Sequence, residues 1–426
     1  MRTQAHITIG IAALTAALLL GGCQKEDKSV RYVTQELRFD LPEELAAATS
    51  ASIEQLTLRN TNTAEVFNIV QPQNATAGQT AAKGLHVRVT VPEGLYSVDM
   101  EGQAQMEGLL PNKIKAHIEG VSITEAEAAL GAKPISTFVS QYSDDGEWVI
   151  AEIFFTGTQT PEGMPYYGDT YFRIYNNSSR TLCADGLGIA ESELLTVEKY
   201  DYTPDPVQHA FAACCIYRIP LGSNIMVEPG QSLLLVDEAI DHRVANPLSF
   251  DLSGADFEWF DPNGEDIDNP EVPNLEQVAG PSYGAWALHN RGFKSYVLCR
   301  LGDDEAHQLT AQQYADSSSA YFCTFYYNFV FNGETYPMSS DAWLIPHAWV
   351  IDAVNLSVES EYQMLLTPPA LDMGYTYVGK VDFDEQRYGK SVRRKVKAGI
   401  VLQDTNNSSI DFEPEQPANP HHRFHQ

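Results

Sequence analysis

Oxygen donors suited to a calcium ion are concentrated in one acidic segment, Asp256 to Glu271, which contains seven acidic residues among sixteen. Calcium binds carboxylate and amide oxygens that turn-forming loops present. The candidate ligands are Asp261, Asn263, Glu265, Asp266 and Asp268. Their spacing departs from that of an EF-hand loop, so a solvated acidic loop is the simpler interpretation and a calcium site is the alternative. No other cofactor is predicted.

Positive charge is concentrated in a second segment, residues 390–397. Its five basic residues are Lys390, Arg393, Arg394, Lys395 and Lys397. Such a patch could bind an acidic partner or the phosphates of lipid A. The simpler interpretation is a strand edge that charge keeps soluble, as native sheets commonly have.

Aromatic side chains dominate residues 321–331, with seven aromatic residues among eleven. Five of them would share one face of a strand: Tyr321, Phe325, Tyr327, Phe329 and Phe331. This pattern predicts the core of a β-sandwich, with Phe325, Tyr327 and Phe329 buried between sheets. A platform on which a sugar, haem or peptide stacks is the alternative.

Motifs that would indicate catalysis are scarce. The chain contains no H-E-x-x-H zinc motif, no Walker loop and no dinucleotide fingerprint. Acidic residues are too plentiful to nominate a glycosidase pair. Five cysteines outside the N-terminal segment form no C-x-x-C pair, and we expect free, buried thiols. They are Cys183, Cys214, Cys215, Cys299 and Cys323. No catalytic residue is predicted.

The overall charge excludes one large class of function. Among 426 residues, 27 are lysine or arginine and 57 are acidic, which gives a formal charge of −30. A chain this acidic repels phosphate backbones, so we expect no nucleic-acid binding. Tyrosine, glycine and proline are abundant, which favours strands and turns over helices.

The N-terminus has the features of a signal peptide. Arg2 precedes an uncharged segment, Ile7 to Leu20, which as a helix would span about 21 Å and is short for a membrane crossing. Leu20 to Cys23 resembles the bacterial lipobox, and this resemblance implies cleavage after residue 22 and acylation of Cys23, palmitate included. Two or three acyl chains would hold the protein to a membrane essentially permanently.

The residues that follow the lipobox resemble a surface-export signal. Gln24, Lys25, Glu26 and Asp27 are similar to the lysine-plus-acidic signal of Bacteroidota-type lipoproteins. The resemblance implies an outer-membrane lipoprotein that faces the medium, with residues 23–30 as a lipidated tether. A plain solvated linker is the alternative.

Two β-sandwich domains are predicted beyond the tether. In residues 31–140, Leu85, Val87, Val89 and Val91 alternate on one strand face, and a turn at Pro92 leads into the next strand. This hairpin resembles those of small Ig-like or carboxypeptidase-regulatory-like sandwiches.

A second resemblance covers residues 146–412. It rests on the segments Tyr171 to Asn177, Ala184 to Leu187, Pro229 to Leu235, Trp349 to Val354 and Leu402 to Ser408. These look like the lamin-tail type of Ig-like sandwich. They resemble more closely a Bacteroidota-type lipoprotein domain of unknown function that is related to that fold. The chain differs from a minimal lamin tail by long loop insertions, roughly residues 190–225 and 238–290. Residues 413–426 are predicted to be a disordered tail.

The resulting hypothesis is an all-β, non-catalytic surface lipoprotein that captures a ligand or assists an outer-membrane transporter or assembly. Strand scaffolds with long loops suit recognition, because loops can vary while the core stays fixed. Two alternatives stay open: a glycan or peptide hydrolase with its site in the 190–290 insertion, and an adhesin or structural protein of the envelope.

Overall fold

Strands dominate the part of the chain that the computed structural model describes. That part comprises residues 30–41, 45, 50–63, 65–69, 74–76, 84–105, 112–139, 148–261, 266–280, 286–302, 307–316 and 318–424. The predicted signal peptide, Cys23 and the export signal Gln24 to Asp27 lie outside these residues. No helix within the described ranges is long and apolar enough to cross a membrane.

The first unit is a β-sandwich. Its elements are β1 (Tyr32–Asp40), β2 (Ser50–Asn60), β3 (Val66–Ile69), β4 (Asn74–Thr76), β5 (Leu85–Pro92), β6 (Gly94–Gln105), β7 (Asn112–Ile123), α1 (Glu125–Ala128), β8 (Lys133–Ser136) and β9 (Phe138–Val139). One sheet has the order β5-β1-β8, and the other has the order β3-β2-β6-β7-β9 with β4 also paired to β2. The alternation in β5 is confirmed, because Leu85, Val87, Val89 and Val91 are buried while the intervening residues are exposed.

The second unit is a larger β-sandwich. Its strands are β10 (Trp148–Phe154), β11 (Thr158–Gln159), β12 (Pro165–Tyr166), β13 (Tyr171–Asn176), β14 (Leu182–Cys183), β15 (Gly188–Ser192), β16 (Ala210–Arg218), β17 (Met226–Val227), β18 (Ser232–Val236), β19 (Phe257–Glu258), β20 (Glu276–Ala279), β21 (Ser295–Cys299), β22 (Phe322–Phe331), β23 (Glu334–Pro346), β24 (Val350–Ser357), β25 (Thr376–Tyr377), β26 (Lys390–Arg394), β27 (Val396–Ala398), β28 (Val401–Leu402) and β29 (Phe412–Pro417). Short helices are α2 (Ala311–Asp316), α3 (Ser318–Tyr321), α4 (Ser408–Asp411) and three 3-10 turns, His242–Val244, His347–Trp349 and Glu385–Arg387.

Two large sheets form this second sandwich. One has the order β19-β18-β13-β10-β26-β29, and the other has the order β22-β23-β16-β15-β21-β24-β25, with β20 paired to β16. Every residue of β10 is buried, because both faces of the strand are covered, and this explains why six of its seven residues are apolar. Between the sheets, the Trp286 ring stacks on Tyr217 at 5.2 Å and on Phe172 at 5.9 Å. The all-β sandwich prediction is confirmed.

Two boundaries differ from the sequence-based expectation. Part of the segment predicted as the 190–225 insertion is β16, a nearly fully buried strand inside the second sheet. The predicted disordered tail is ordered to residue 424. β29 pairs with β26, and Phe424 is buried against Tyr175, with their rings 5.4 Å apart. Both segments are held by long-range apolar contacts that local composition does not reveal.

The five cysteines of the second unit are free, as predicted. Cys215 and Cys299 are buried, whereas the other three are half-buried. Burial raises the pKa of the Cys215 and Cys299 thiols, so both stay protonated near neutral pH. They serve as small apolar side chains of the core.

Candidate functional site

A two-stranded ribbon extends from one edge of the second sandwich. β22 and β23 pair from Phe322 opposite Trp343 to Phe331 opposite Glu334. β23 pairs with its inner neighbour β16 only between residues 343 and 346. Residues 322–342, which we call the ribbon, therefore project beyond the sheet. An isolated two-stranded hairpin is marginally stable in water, so side-chain contacts must hold the ribbon in place.

The prediction that the aromatic residues of the ribbon form the core of the sandwich is wrong for most of them. Phe325 is fully buried, but Tyr327 is only half-buried, Phe329 is 36% exposed and Phe331 is 57% exposed. Tyr321 is not on the strand, because it ends α3. Alternation places aromatic rings on one strand face but does not reveal whether a second sheet covers that face.

Phe325 anchors the base of the ribbon in a small apolar cluster. The other buried members of this cluster are Leu194, Ala212, Ala342 and Leu366. Burying a phenylalanine fully contributes about 1.5–3 kcal/mol. The base is therefore packed, whereas the distal part of the ribbon is exposed.

The segment Tyr200 to Thr203 supports the ribbon from outside. The Thr203 and Tyr326 backbones donate to each other's carbonyl oxygens, each at 2.9 Å. The Tyr200 ring stacks on Tyr327 at 4.9 Å, and the Tyr202 ring meets Phe325 edge to face at 5.5 Å. Each such aromatic pair contributes about 0.5–1.5 kcal/mol beyond its buried area.

A pocket of about 250 Å³ lies where this segment meets the ribbon. We call it the tyrosine pocket, and its defining residues are Glu193, Glu198, Tyr200, Tyr202 and Tyr327. Burial raises the pKa of the Tyr202 and Tyr327 phenols, and the negative charge of Glu198 adds to the rise. The tyrosines are therefore neutral near pH 7, and the pocket combines aromatic rings with carboxylates.

The other charged group of the pocket wall is already bound within the protein. The Lys294 ammonium donates to the backbone oxygens of Ser192 at 2.7 Å and Glu193 at 2.8 Å. The Glu193 carboxylate accepts a hydrogen bond from Ser340 of the ribbon. These contacts tie the pocket wall to β23 and orient Glu193.

An apolar face continues from the pocket to the tip of the ribbon. The register places Phe329 opposite Tyr336 and Tyr327 opposite Met338, so these side chains share a face. Tyr336 is 46% exposed and Met338 is 42% exposed. Contiguous exposed apolar side chains of this kind mark interaction sites on soluble proteins.

The ribbon lies within the part of the chain that is similar to a protein family. Residues 228–419 match a family described as "Protein of unknown function (DUF4876)". The matched residues contain β18 to β29 and thus the whole ribbon, whereas β10 to β17 lie outside them. Glu193, Glu198, Tyr200 and Tyr202 also precede the matched residues. The tyrosine pocket therefore combines residues from inside and outside the matched range.

The chain also has the fold of a solved structure. The crystal structure of a DUF4876 family protein from Bacteroides thetaiotaomicron VPI-5482 is similar, with a TM-score of 0.50 and 21% sequence identity. The similarity covers 91% of this chain and 96% of that chain. At this identity the match shows a shared fold. None of the curated proteins matches.

The basic segment, residues 390–397, is largely used for internal contacts. The Lys390 ammonium lies 3.0 Å from a Glu415 carboxylate oxygen, and the Arg393 guanidinium lies 3.0 Å from one of buried Glu152. The Lys395 ammonium donates to the Ile410 backbone oxygen at 2.6 Å. Lys397 is exposed on β27. The segment therefore presents less positive charge at the surface than its sequence indicates.

Arg394, the remaining basic residue of this segment, lies in the core. Its guanidinium is 2.6 Å from Asp352 and 3.2 Å from Asp404, with Asp411 at 3.7 Å. It also donates to the Ile150 backbone oxygen at 2.9 Å. Burial raises the pKa of the Asp352 and Asp411 carboxyls, and the charge of Arg394 opposes that rise. Arg394 thus joins β10, β24 and β26 through a buried ionic network.

The predicted calcium ligands are divided between described and undescribed residues. Asn263 and Glu265 lie outside the residues that the structure describes. Asp266 accepts hydrogen bonds from the Asp261 and Ile267 backbones, at 2.9 and 3.0 Å, and Asp268 accepts one from Asn274 at 3.0 Å. Within the described ranges, no group of three or more histidine, cysteine or acidic residues is arranged to hold a metal ion.

Two signals for the tyrosine pocket lie far apart in the sequence, and neither one alone predicts a pocket. Tyr200 and Tyr202 alternate within an acidic segment, and Tyr327 lies in the aromatic segment more than a hundred residues later. Only the fold brings these rings together, because β16, which lies between them in the chain, is the strand on which the base of the ribbon pairs.

Proposed function

We propose that this protein is a non-catalytic binding module, anchored to the outer membrane through acylated Cys23 and facing the medium, whose ribbon contacts the bound partner. In this proposal the partner is an outer-membrane transporter or surface assembly. A relationship of the second sandwich to the lamin-tail fold is part of the same proposal.

The observation that carries the binding role is the exposed aromatic face of the ribbon. Phe329, Phe331, Tyr336 and Met338 expose apolar surface side by side on a projecting element. Exposing apolar surface to water is unfavourable, and burying it against another protein surface is favourable. Aromatic side chains and methionine are also the types enriched in protein interfaces.

The anchoring role is supported by the N-terminal sequence and by charge. Leu20 to Cys23 has the lipobox pattern, and Gln24 to Asp27 resembles an export signal. An acidic body of net charge −30 is repelled by the lipid-A phosphates, which favours a protein held away from the leaflet on its tether.

The anchor is tested by replacing Cys23 with Ala. We expect the variant to lose metabolic labelling with palmitate and to leave the membrane fraction. Replacing Lys25, Glu26 and Asp27 together with Ala should preserve acylation but make the protein resistant to proteinase added to whole cells. Wild-type protein that is already protected in cells with an intact outer membrane would contradict surface display.

The binding role is tested at the ribbon itself. Phe331→Ser removes an exposed ring without opening the core, so folding should be unchanged while chemical cross-links to a membrane partner are lost. Val244→Ser is a control, because Val244 is 88% exposed on a 3-10 turn that is not part of the ribbon. Equal cross-linking of wild type and Phe331→Ser would refute the ribbon as the contact surface.

A hydrolase with its site in the 190–290 insertion is the second candidate. Burial, with Asp266 and Glu258 nearby, raises the pKa of Glu238 to about 7, a value suited to a general acid. In addition, Gly280 to Gly284 has the spacing G-x-S-x-G, although Ser282 lies outside the described residues. Hydrolysis of glycan or peptide substrates that is abolished by Glu238→Gln or Ser282→Ala would establish this alternative. An adhesin would instead bind host or neighbouring surfaces through the same ribbon.

A further inference from the structure

We propose that the tyrosine pocket binds a cationic side chain, presented by an extended segment of a partner protein that pairs with the outer edge of β22. This inference rests on the proposed binding function and specifies the chemistry of the partner. Three features support it: the arrangement of the rings, the charge around the pocket and the outer edge of β22, the terminal strand of its sheet.

The rings pack together and form one aromatic wall of the pocket. Tyr200 stacks on Tyr327 with their planes 29° apart, and Tyr202 packs against Tyr327 at 5.5 Å and 64°. Tyr200 also meets Tyr202 at nearly a right angle, 6.1 Å away. An ammonium or guanidinium group within about 6 Å of such ring faces is attracted by their negative quadrupoles.

The charge around the pocket is predominantly negative. Glu193 and Glu198 line the pocket beside Lys294, and Asp201 and Asp341 directly follow the lining residues Tyr200 and Ser340. Of the two lysines nearby, Lys294 is already bound to backbone oxygens, and Lys199 is exposed. The surface therefore complements a basic partner and disfavours an acidic one.

The edge of β22 shows how the partner's backbone would bind. β22 is the terminal strand of its sheet, and Thr203 forms an antiparallel bridge with Tyr326 on the outer edge. Because every second residue of an antiparallel strand points its N–H and C=O the same way, Asn328 and Val330 present theirs on this outer edge too. In the described part of the chain, Thr203 alone pairs there. A partner strand can therefore continue the pairing toward the tip.

A second copy of this chain is a poorer occupant than a basic partner. Each copy has a net charge of −30, and two acidic ribbons facing each other would repel. A basic extended segment can form backbone hydrogen bonds with the edge of β22, cover the apolar face and pair its positive charge with the carboxylates. Alternate side chains of such a strand point to one face, so a cationic residue that enters the pocket would place its second neighbours, at positions i±2, along Phe329 and Phe331.

Titration calorimetry of the purified protein with defined peptides tests the inference. The probe is a short peptide in which one central lysine is flanked by valine at positions i±2 and by threonine elsewhere, and the matched control has glutamine in place of the lysine. We expect the lysine peptide to bind roughly tenfold more tightly, and Glu198→Gln or Tyr200→Leu to remove most of that preference. N-methylation of alternate amides of the peptide, which blocks strand pairing, should abolish binding.

Glu334→Gln is the control for general charge attraction, because Glu334 lies at the ribbon tip, away from the pocket. It should change affinity by less than about twofold. Equal binding of the lysine and glutamine peptides, or a lysine preference that survives Glu198→Gln, would overturn the inference, as would a dimer in solution that Phe331→Ser dissociates. The peptide experiment is independent of the cross-linking experiment, so the inference and the proposed binding function fail on different results.

Discussion

Replacing Arg394 by Met tests the buried ionic network at the centre of the second sandwich. The guanidinium is 1% exposed and contacts carboxylates of Asp352, Asp404 and Asp411. Methionine fills part of the same volume, so the main loss is charge compensation for carboxylates that remain buried. Removing one partner of a buried ion pair costs about 3–5 kcal/mol, and we expect the free energy of unfolding to fall by that amount at neutral pH.

The pH dependence separates this explanation from simple loss of packing. Burial already raises the pKa of Asp352 and Asp411 above the ordinary value of 3.8, and Arg394 opposes the rise. Without Arg394, both pKa values rise further in the folded state only. A carboxyl whose folded pKa is raised stabilises the fold at low pH and loses that contribution as the pH increases. The variant's deficit should therefore be larger at pH 8 than at pH 5.

Urea unfolding of both proteins at the two pH values, followed by circular dichroism, measures the deficit. Arg243→Met is the matched control, because Arg243 forms its ion pairs with Asp241 and Asp251 at the surface, where such pairs contribute little. A deficit that is the same at pH 5 and pH 8, or one no larger than that of the control, would refute the assignment of Arg394 as the compensating charge.

Three further predictions concern stability. Phe325→Ala should lower the free energy of unfolding by about 3–5 kcal/mol, whereas Phe329→Ala should leave the urea midpoint nearly unchanged; equal losses would contradict the exposed ribbon. Glu238→Gln should stabilise the protein at pH 8 by about 1–2 kcal/mol, allowing for its partial exposure, because the folded-state pKa of about 7 exceeds the ordinary 4.5 and the wild type loses stability between those pH values. The effect should vanish in thermal unfolding at pH 4. Phe424→Ala should cost about 1.5–3 kcal/mol and expose the C-terminal residues to carboxypeptidase, since its ring is buried against Tyr175 and lies 4.5 Å from the Arg173 guanidinium; unchanged protease resistance would show that the tail is held by other contacts.

The sequence predicts strands and their buried residues best where one face of a strand is buried and the other is exposed to solvent. β5 has that alternation, and its four inward residues are those predicted. β16 has no alternation, because both its faces are covered, and its alanines and cysteines resemble neither a strand nor a loop. A covered strand of small residues therefore falls inside a segment that composition assigns to an insertion.

The candidate site depends on tertiary contacts that no local pattern contains. The alternation at Phe325, Tyr327 and Phe329 correctly places the rings on one face, but their burial depends on how far β16, the strand that pairs with β23, extends. Arg394 looks like one member of a basic run, and its role follows from the positions of Asp352 and Asp404 across the sandwich. Position along the chain does not distinguish a solvated arginine from a buried one.

The strand order of the second sandwich has a consequence for biogenesis. β10 is a central strand, yet its neighbour β26 lies about 240 residues later, with Glu152 opposite Arg393, and β29 completes that sheet. The entropy cost of closing a loop of this length precedes the favourable contacts between the two strands. Folding is therefore slow compared with that of a locally connected domain. A chain that is made from its N-terminus keeps β10 without this partner until residues near 390 have been added. The second sandwich therefore cannot be completed before β26 and β29 are available.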